Sequence, residues 1–193
     1  MFLKKESTKN QMISKEINAI TNLVNEEFGS LNVIQLNWKP LTDQWNIGQC
    51  LDHVIVSNSK YLPVLNAIKK GTHLPTFWER KNPLSKYTGA SMIKTLGPQV
   101  NKKFIAPKLF TPTNKTVGQE IITQFVEHQL ELSSILSELE KEQYSMIIIT
   151  SPVAGLITIP LHDVLKIITT HEMRHVLQAI RVKNYPEFPT THS

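Results

Sequence analysis

The chain has 193 residues, 40% hydrophobic and 19% charged, with a formal net charge of +5. That is the size of one domain with a sizeable core, and the composition is neither disordered nor fibrous. A single cysteine, Cys50, excludes an intrachain disulfide and a cysteine zinc cluster, and no window is apolar over a membrane-spanning length. The start, Met1 to Glu6, lacks the apolar core of a signal peptide, so a cytoplasmic protein is expected.

Ile13, Ile17, Ile20, Val24 and Phe28 recur at helical spacing and predict a first helix over about 9–29, ended by Gly29-Ser30. Leu31 to Thr42 reads as a connection. Asn46 is a good N-cap for a second helix over about 46–70, with Gly71 as its stop signal. Pro63 falls inside that pattern and should kink the helix or force a local rearrangement. From Thr72 to Lys115 no sustained periodicity is visible, and the stretch is longer than most connections in compact domains. It holds eight cations and one acid, Glu79, a net +7, so the rest of the chain sums to −2. Its aromatic residues argue for an ordered segment packed on the body, with short helical turns. Thr116-Val117-Gly118-Gln119 has the form of a capping box opening a third helix over about 117–142. Ser145 to Ile157 is an apolar connection in which Met146 to Ile149 are long enough for a short strand. Thr158 is placed to cap a last helix that runs to about Lys183-Asn184, with Pro160 in its first turn. Four long amphipathic helices with one long connection between the second and third make an all-α four-helix bundle, residues 1–193 forming one domain.

The last helix carries Thr169-Thr170-His171-Glu172-Met173-Arg174-His175-Val176-Leu177-Gln178. His171 and His175 are four apart, which stacks their imidazoles on one face. His171 follows Ile168 by three and Val164 by seven, so the pair points inward, where two unpartnered imidazoles are costly. A divalent metal satisfies both at once, whereas a lone histidine on such a face is usually a hydrogen-bonded core residue. Among the other histidines, His53 is best placed for a third ligand, one turn into the second helix and beside Val54. Two histidines from one helix and one from another leave open positions on the ion, the mark of a catalytic site.

Two stretches together resemble the DinB-like, or DinB/YfiT-like, metalloenzyme family. Trp45-Asn46-Ile47-Gly48-Gln49-Cys50-Leu51-Asp52-His53-Val54 looks like its entry to the second helix, and His171-Glu172-Met173-Arg174-His175-Val176-Leu177-Gln178 looks like its His-x-x-x-His-x-x-Gln in the last helix. The resemblance covers nearly the whole chain. It implies a four-helix bundle with His53, His171 and His175 holding a divalent metal (Zn, Ni, Fe or Mn), often in a homodimer. It also implies a small-molecule substrate, in some members a low-molecular-weight thiol, and a thiol-dependent transferase or a hydrolase.

His171-Glu172-x-x-His175 also spells a zinc-protease motif, but a metzincin needs Gly at 178 and His at 181, where this chain has Gln178 and Arg181. Glu172 is a candidate general base; about 100° round from His171, it reads equally as a partly exposed helix charge. Gln178, on the face of His175, is a candidate to orient a ligand or water from behind the histidines, or to bridge two helices. Cys50 is either a soft fourth ligand or small core filler. The non-catalytic alternative is a metal-binding or stress-related binding protein. The basic segment carries no recognised nucleic-acid motif, and a packed cover over the bundle explains its aromatics equally well. The segment leaves the far end of the helix whose start carries His53, so its relation to the histidines is open.

Overall fold

The computed structural model describes residues 2–99, 110–113, 116–139, 146–152 and 154–190. The elements are α1 (Phe2–Phe28), α2 (Val33–Asn37), α3 (Ile47–Ser59), α4 (Leu62–Lys69), α5 (Phe77–Lys81), α6 (Ser85–Leu96), α7 (Ile121–Leu139), β1 (Ile148–Thr150), β2 (Thr158–Pro160) and α8 (Leu161–Lys183). The fold is all-α: α1, α3 with α4, α7 and α8 pack as the four-helix bundle.

Each bundle helix contributes to two apolar clusters. One is built on Ile17, Leu65, Leu132 and Leu165, the other on Val24, Leu51, Phe125 and Val176. Between the clusters three helices each place a buried polar residue in the core stripe: Asn58 on α3, Gln129 on α7 and Glu172 on α8. The second predicted helix is split as Pro63 requires. α3 ends at Ser59 and α4 starts at Leu62, with the proline in its first turn, where the missing N–H costs nothing. Asn46 caps α3 in a full capping box, accepting the Gln49 N–H at 2.6 Å while Gln49 Oε1 accepts the Asn46 N–H at 3.3 Å. Gly71 closes α4 with φ +66°, a left-handed conformation that favours glycine.

Four expectations are corrected. The Leu31–Thr42 connection contains α2, capped by Asn32 and Gln35 in a second full box. The Thr116 capping box does not form, because α7 begins at Ile121 and Gln119 instead donates from Nε2 to the Leu31 carbonyl at 2.5 Å. Thr158 does not cap α8. It lies in β2, which pairs antiparallel with β1 (Ile149 opposite Ile159), and α8 starts after Pro160 without a side-chain cap. The segment from Thr72 is more regular than its sequence suggests. α5 and α6 lie within it, and α6 runs along α8. The α6 stripe is Ser85, Gly89, Met92, Ile93 and Leu96. Its spacing is helical, but serine and glycine hide it from a hydrophobicity count. Lys102, Lys103, Lys108 and Lys115 of the basic segment, residues 140–142 of the predicted third helix, and Ser145 fall outside the described residues.

Polar side chains fasten the inserted helices. Buried Glu79 on α5 accepts the Thr150 N–H and hydroxyl on β1 at 2.6 and 2.9 Å. Buried Thr158 accepts from Asn82 Nδ2 at 2.9 Å, and its carbonyl accepts the Thr88 hydroxyl at 2.7 Å. Gly89 lets α6 approach α8: a Cβ there would stand 2.9 Å from Asp163 Cβ and 2.3 Å from its Oδ2. Gly89→Ala gains about 1 kcal/mol of helix propensity but must push the helices apart at a cost of about 1–3 kcal/mol. The expected net result is a loss of about 1 kcal/mol, read as a lower midpoint in urea; a raised midpoint would show that α6 is not seated on α8 in this way.

Candidate metal centre

His53 projects from the second turn of α3, and His171 and His175 from successive turns of α8, the two helices packing directly against each other. The three ring nitrogens converge. His171 Nε2 lies 3.3 Å from His53 Nε2 and 3.1 Å from His175 Nε2. The rings stand nearly edge-on to one another, with interplanar angles of 71–77°. Three nitrogens around one tetrahedral ion at Zn–N distances of about 2.0–2.1 Å stand about 3.3–3.4 Å apart, so these spacings suit such an ion with little adjustment.

The outer nitrogens fix which way the lone pairs point. His53 Nδ1 faces the carbonyl of Phe110, which only accepts, so the proton is on Nδ1 and the lone pair on Nε2. His175 Nδ1 donates to Gln178 Oε1 at 3.0 Å, with the same consequence. Two lone pairs thus aim at one point, and His171 offers them at most one shared proton. A cation at that point satisfies all three rings. This test of the donor set favours a metal over a purely hydrogen-bonded cluster.

His53 and His175 are buried and His171 is half-buried. Burial is the main reason the imidazoles resist protonation. It lowers His53, against the opposing effects of the Phe110 carbonyl and Asp52. It takes His171 to about 3, helped by the charges of His53 and Arg174. It takes His175 to about 2, helped by His171, His53 and Arg174 and opposed by Gln178. Trp45 walls the site, its ring 4.7 Å from that of His53 and 5.6 Å from that of His175.

Two described stretches of the inserted segment reach the site, one at Arg174 beside His175 and one at His53. Arg174 Nη1 donates to the carbonyls of Thr95 and Gly97, at 3.5 and 3.4 Å. When the described chain resumes at Phe110, that carbonyl is on His53, and the Thr113 N–H donates to Asp52 at 2.6 Å. Thr95, Gly97, Phe110 and Thr113 of the segment therefore lie next to the site, which answers the question that the sequence left open. The Phe110 contact was invisible in the sequence because a backbone carbonyl has no residue signature.

Glu172 is not the partly exposed helix charge of one sequence reading. It is fully buried, and its Oε1 accepts from Asn58 Nδ2 at 2.6 Å and Gln129 Nε2 at 2.9 Å. Its Oε2 has no partner among the described residues. Burial pushes this carboxyl up to about 7, against the pull of the two amides. Gln129 escaped the sequence reading, although its place between Phe125 and Leu132 marks the core face. Cys50 is wholly buried in the second apolar cluster, its thiol pushed up to about 12 by burial, and it is not among the grouped ligands. Of the other histidines, His128 is buried on α7 and lowered to about 4 by burial, His73 faces Glu79, His162 pairs with Asp163, and His192 is outside the described residues.

No helix among the described residues is long and apolar enough to cross a membrane. No curated protein and no solved structure matches the chain significantly. The family model of the DinB superfamily matches residues 17–179, from the first buried turns of α1 to the end of the site on α8. With the bundle and three histidines able to hold a metal ion, that match identifies the chain as a member of the DinB superfamily.

Proposed function

We propose that His53, His171 and His175 hold a divalent metal, and that the protein is a metal-dependent transferase or hydrolase acting on a small molecule. The observation that carries this reading is the convergence of three Nε2 atoms, two of them with lone pairs oriented inward by Phe110 and Gln178. Borderline nitrogen donors suit Zn, Ni, Fe or Mn. When bound, such an ion lowers the pKa of a thiol or water that it binds, which supplies a nucleophile near neutral pH. The chain's own part is to orient the donors and to wall the site with Trp45. Among the described residues the grouped ligands stop at three, which supports an exchangeable position and favours catalysis over the alternative of a binding protein. Glu172 lies inside the bundle, bonded to Asn58 and Gln129 and to none of the three histidines, which gives it no contact with a metal-bound group. We also propose a cytoplasmic location and a homodimer, the dimer resting on the family resemblance alone; a monomer by light scattering at high concentration would remove the dimer.

Metal analysis of protein purified without a histidine tag and reloaded with Zn²⁺ or Ni²⁺ tests the proposal. About one equivalent per chain is expected in the wild type and almost none in His171→Ala. Equal loading of the two would overturn it. Gln178→Leu removes the acceptor for His175 Nδ1 and is expected to weaken metal binding about 10–100-fold. An unchanged affinity in competition with a chromophoric chelator would show that Gln178 does not orient the ring.

A further inference from the structure

We propose that Asp52 is a positioning residue of the metal centre. It holds the chain at Thr113, which keeps the Phe110 carbonyl on His53, so that metal binding and the seating of residues 110–113 on α3 strengthen each other. This rests on the metal reading and adds a coupled segment to it.

Asp52 and His53 are consecutive on α3, both are buried, and each grips the same short stretch of chain. The Phe110 carbonyl accepts from His53 Nδ1, and Asp52 Oδ2 accepts the Thr113 N–H at 2.6 Å. The Phe110 side chain is buried as well. Two hydrogen bonds three residues apart fix the position and the direction of a stretch that one bond would let pivot. Thr113 is exposed, so its N–H exchanges with water whenever the bond to Asp52 opens.

The seat matters because His53 Nδ1 has a second polar neighbour. Ser57 Oγ, one turn further along α3, lies 3.4 Å away. A carbonyl only accepts, so while Phe110 is seated the proton stays on Nδ1 and Nε2 keeps its lone pair for the ion. A hydroxyl both donates and accepts. With the carbonyl withdrawn, Ser57 can donate to Nδ1, which favours the tautomer with its proton on Nε2. That proton would face His171 Nε2, 3.3 Å away, and block ligation. Seating of the segment therefore selects the ligating tautomer. The converse also holds, because ligation through Nε2 makes the Nδ1–H more acidic and its bond to the carbonyl stronger. Such coupling is reciprocal: the factor by which the seated segment tightens the metal is the factor by which the metal tightens the seat.

The test uses full-length protein and two readouts. One is Zn²⁺ affinity in competition with a chromophoric chelator, the other exchange of the Thr113 amide by NMR with and without Zn²⁺. In the wild type Zn²⁺ is expected to slow that exchange about fivefold. Asp52→Ala should lose the slowing and bind Zn²⁺ about fivefold more weakly. Adding Ser57→Ala removes the competing hydroxyl and should recover most of that affinity, a rescue that a merely structural role of Asp52 does not give. Thr113 exchange unmoved by Zn²⁺ in a wild type that binds it overturns this inference alone, and that comparison needs no variant. Unchanged Zn²⁺ affinity in folded Asp52→Ala, or no recovery in the double variant, overturns it too. A wild type that does not bind Zn²⁺ overturns the metal reading and this inference with it.

Discussion

Glu172→Gln is expected to stabilise the metal-free protein by about 3 kcal/mol at pH 8 and to have almost no effect near pH 4.5. The carboxyl is fully buried, and burial raises it from 4.5 to about 7. A folded-state pKa above the unfolded value means that the native protein binds the extra proton between those two limits. Stability tied to this group is therefore fully present below about 4.5 and is lost as the pH rises through 7. The amide put in its place carries no charge at any pH. It still offers one oxygen to Asn58 and Gln129, which donate at 2.6 and 2.9 Å. Its amide nitrogen takes the place of the unpartnered Glu172 Oε2, and Gln129 Oε1, also without a partner among the described residues, is an acceptor for its N–H. The expected gain in melting temperature above pH 7 is roughly 10 °C for a chain of this size. Thermal unfolding of both proteins from pH 4.5 to 8 checks it. A variant less stable than wild type at pH 8 would mean that the charged carboxylate is held by something stronger than the two amides. Glu172→Leu separates charge from hydrogen bonding, because it strands both amide donors and should be less stable than Glu172→Gln at every pH.

The parts of the fold that were legible in the sequence are those in which one helix carries a full apolar stripe between clear caps. Asn46, Pro63 and Gly71 marked the start, break and end of α3 and α4 because each acts through its own backbone or side chain. The missed parts depend on partners far along the chain. Ser85 and Gly89 make a poor hydrophobic face but a good surface for Thr158 and Asp163, so α6 read as loop. Thr158 looks like a cap in isolation, yet Ser85 and Thr88 of the neighbouring α6 take its hydroxyl and its carbonyl. His171 and His175 were legible because their spacing is a helical signal, His53 from its place one turn into the second helix and the family resemblance, and the structure brings all three together. Their orientation was not, since it depends on the Phe110 carbonyl, which any residue at that position would supply.

The neutrality of the imidazoles carries the second large expectation. Metal affinity should change by less than about tenfold between pH 7 and pH 5.5. Three ordinary imidazoles with pKa near 6.5 would instead lose roughly 600-fold over that interval, because each must shed a proton to bind. Here burial and mutual repulsion hold His171 at about 3 and His175 at about 2, and burial lowers His53 as well. Protons therefore compete weakly, and the donors stay ready for an ion well below neutral pH. The same shifts act on stability with a fixed sign. Groups whose folded-state pKa lies below 6.5 contribute stability that is complete above that value and is lost as the pH falls. Buried His128, lowered to about 4, adds to this loss without touching the site, so acid should destabilise the metal-free protein before it strips the metal from the loaded one. Equilibrium dialysis against Zn²⁺ at the two pH values, on protein shown by circular dichroism to be folded at both, measures the ratio. A loss of several hundredfold would show that the three rings titrate like exposed histidines, and would remove the case for a dry, preformed donor set behind Trp45.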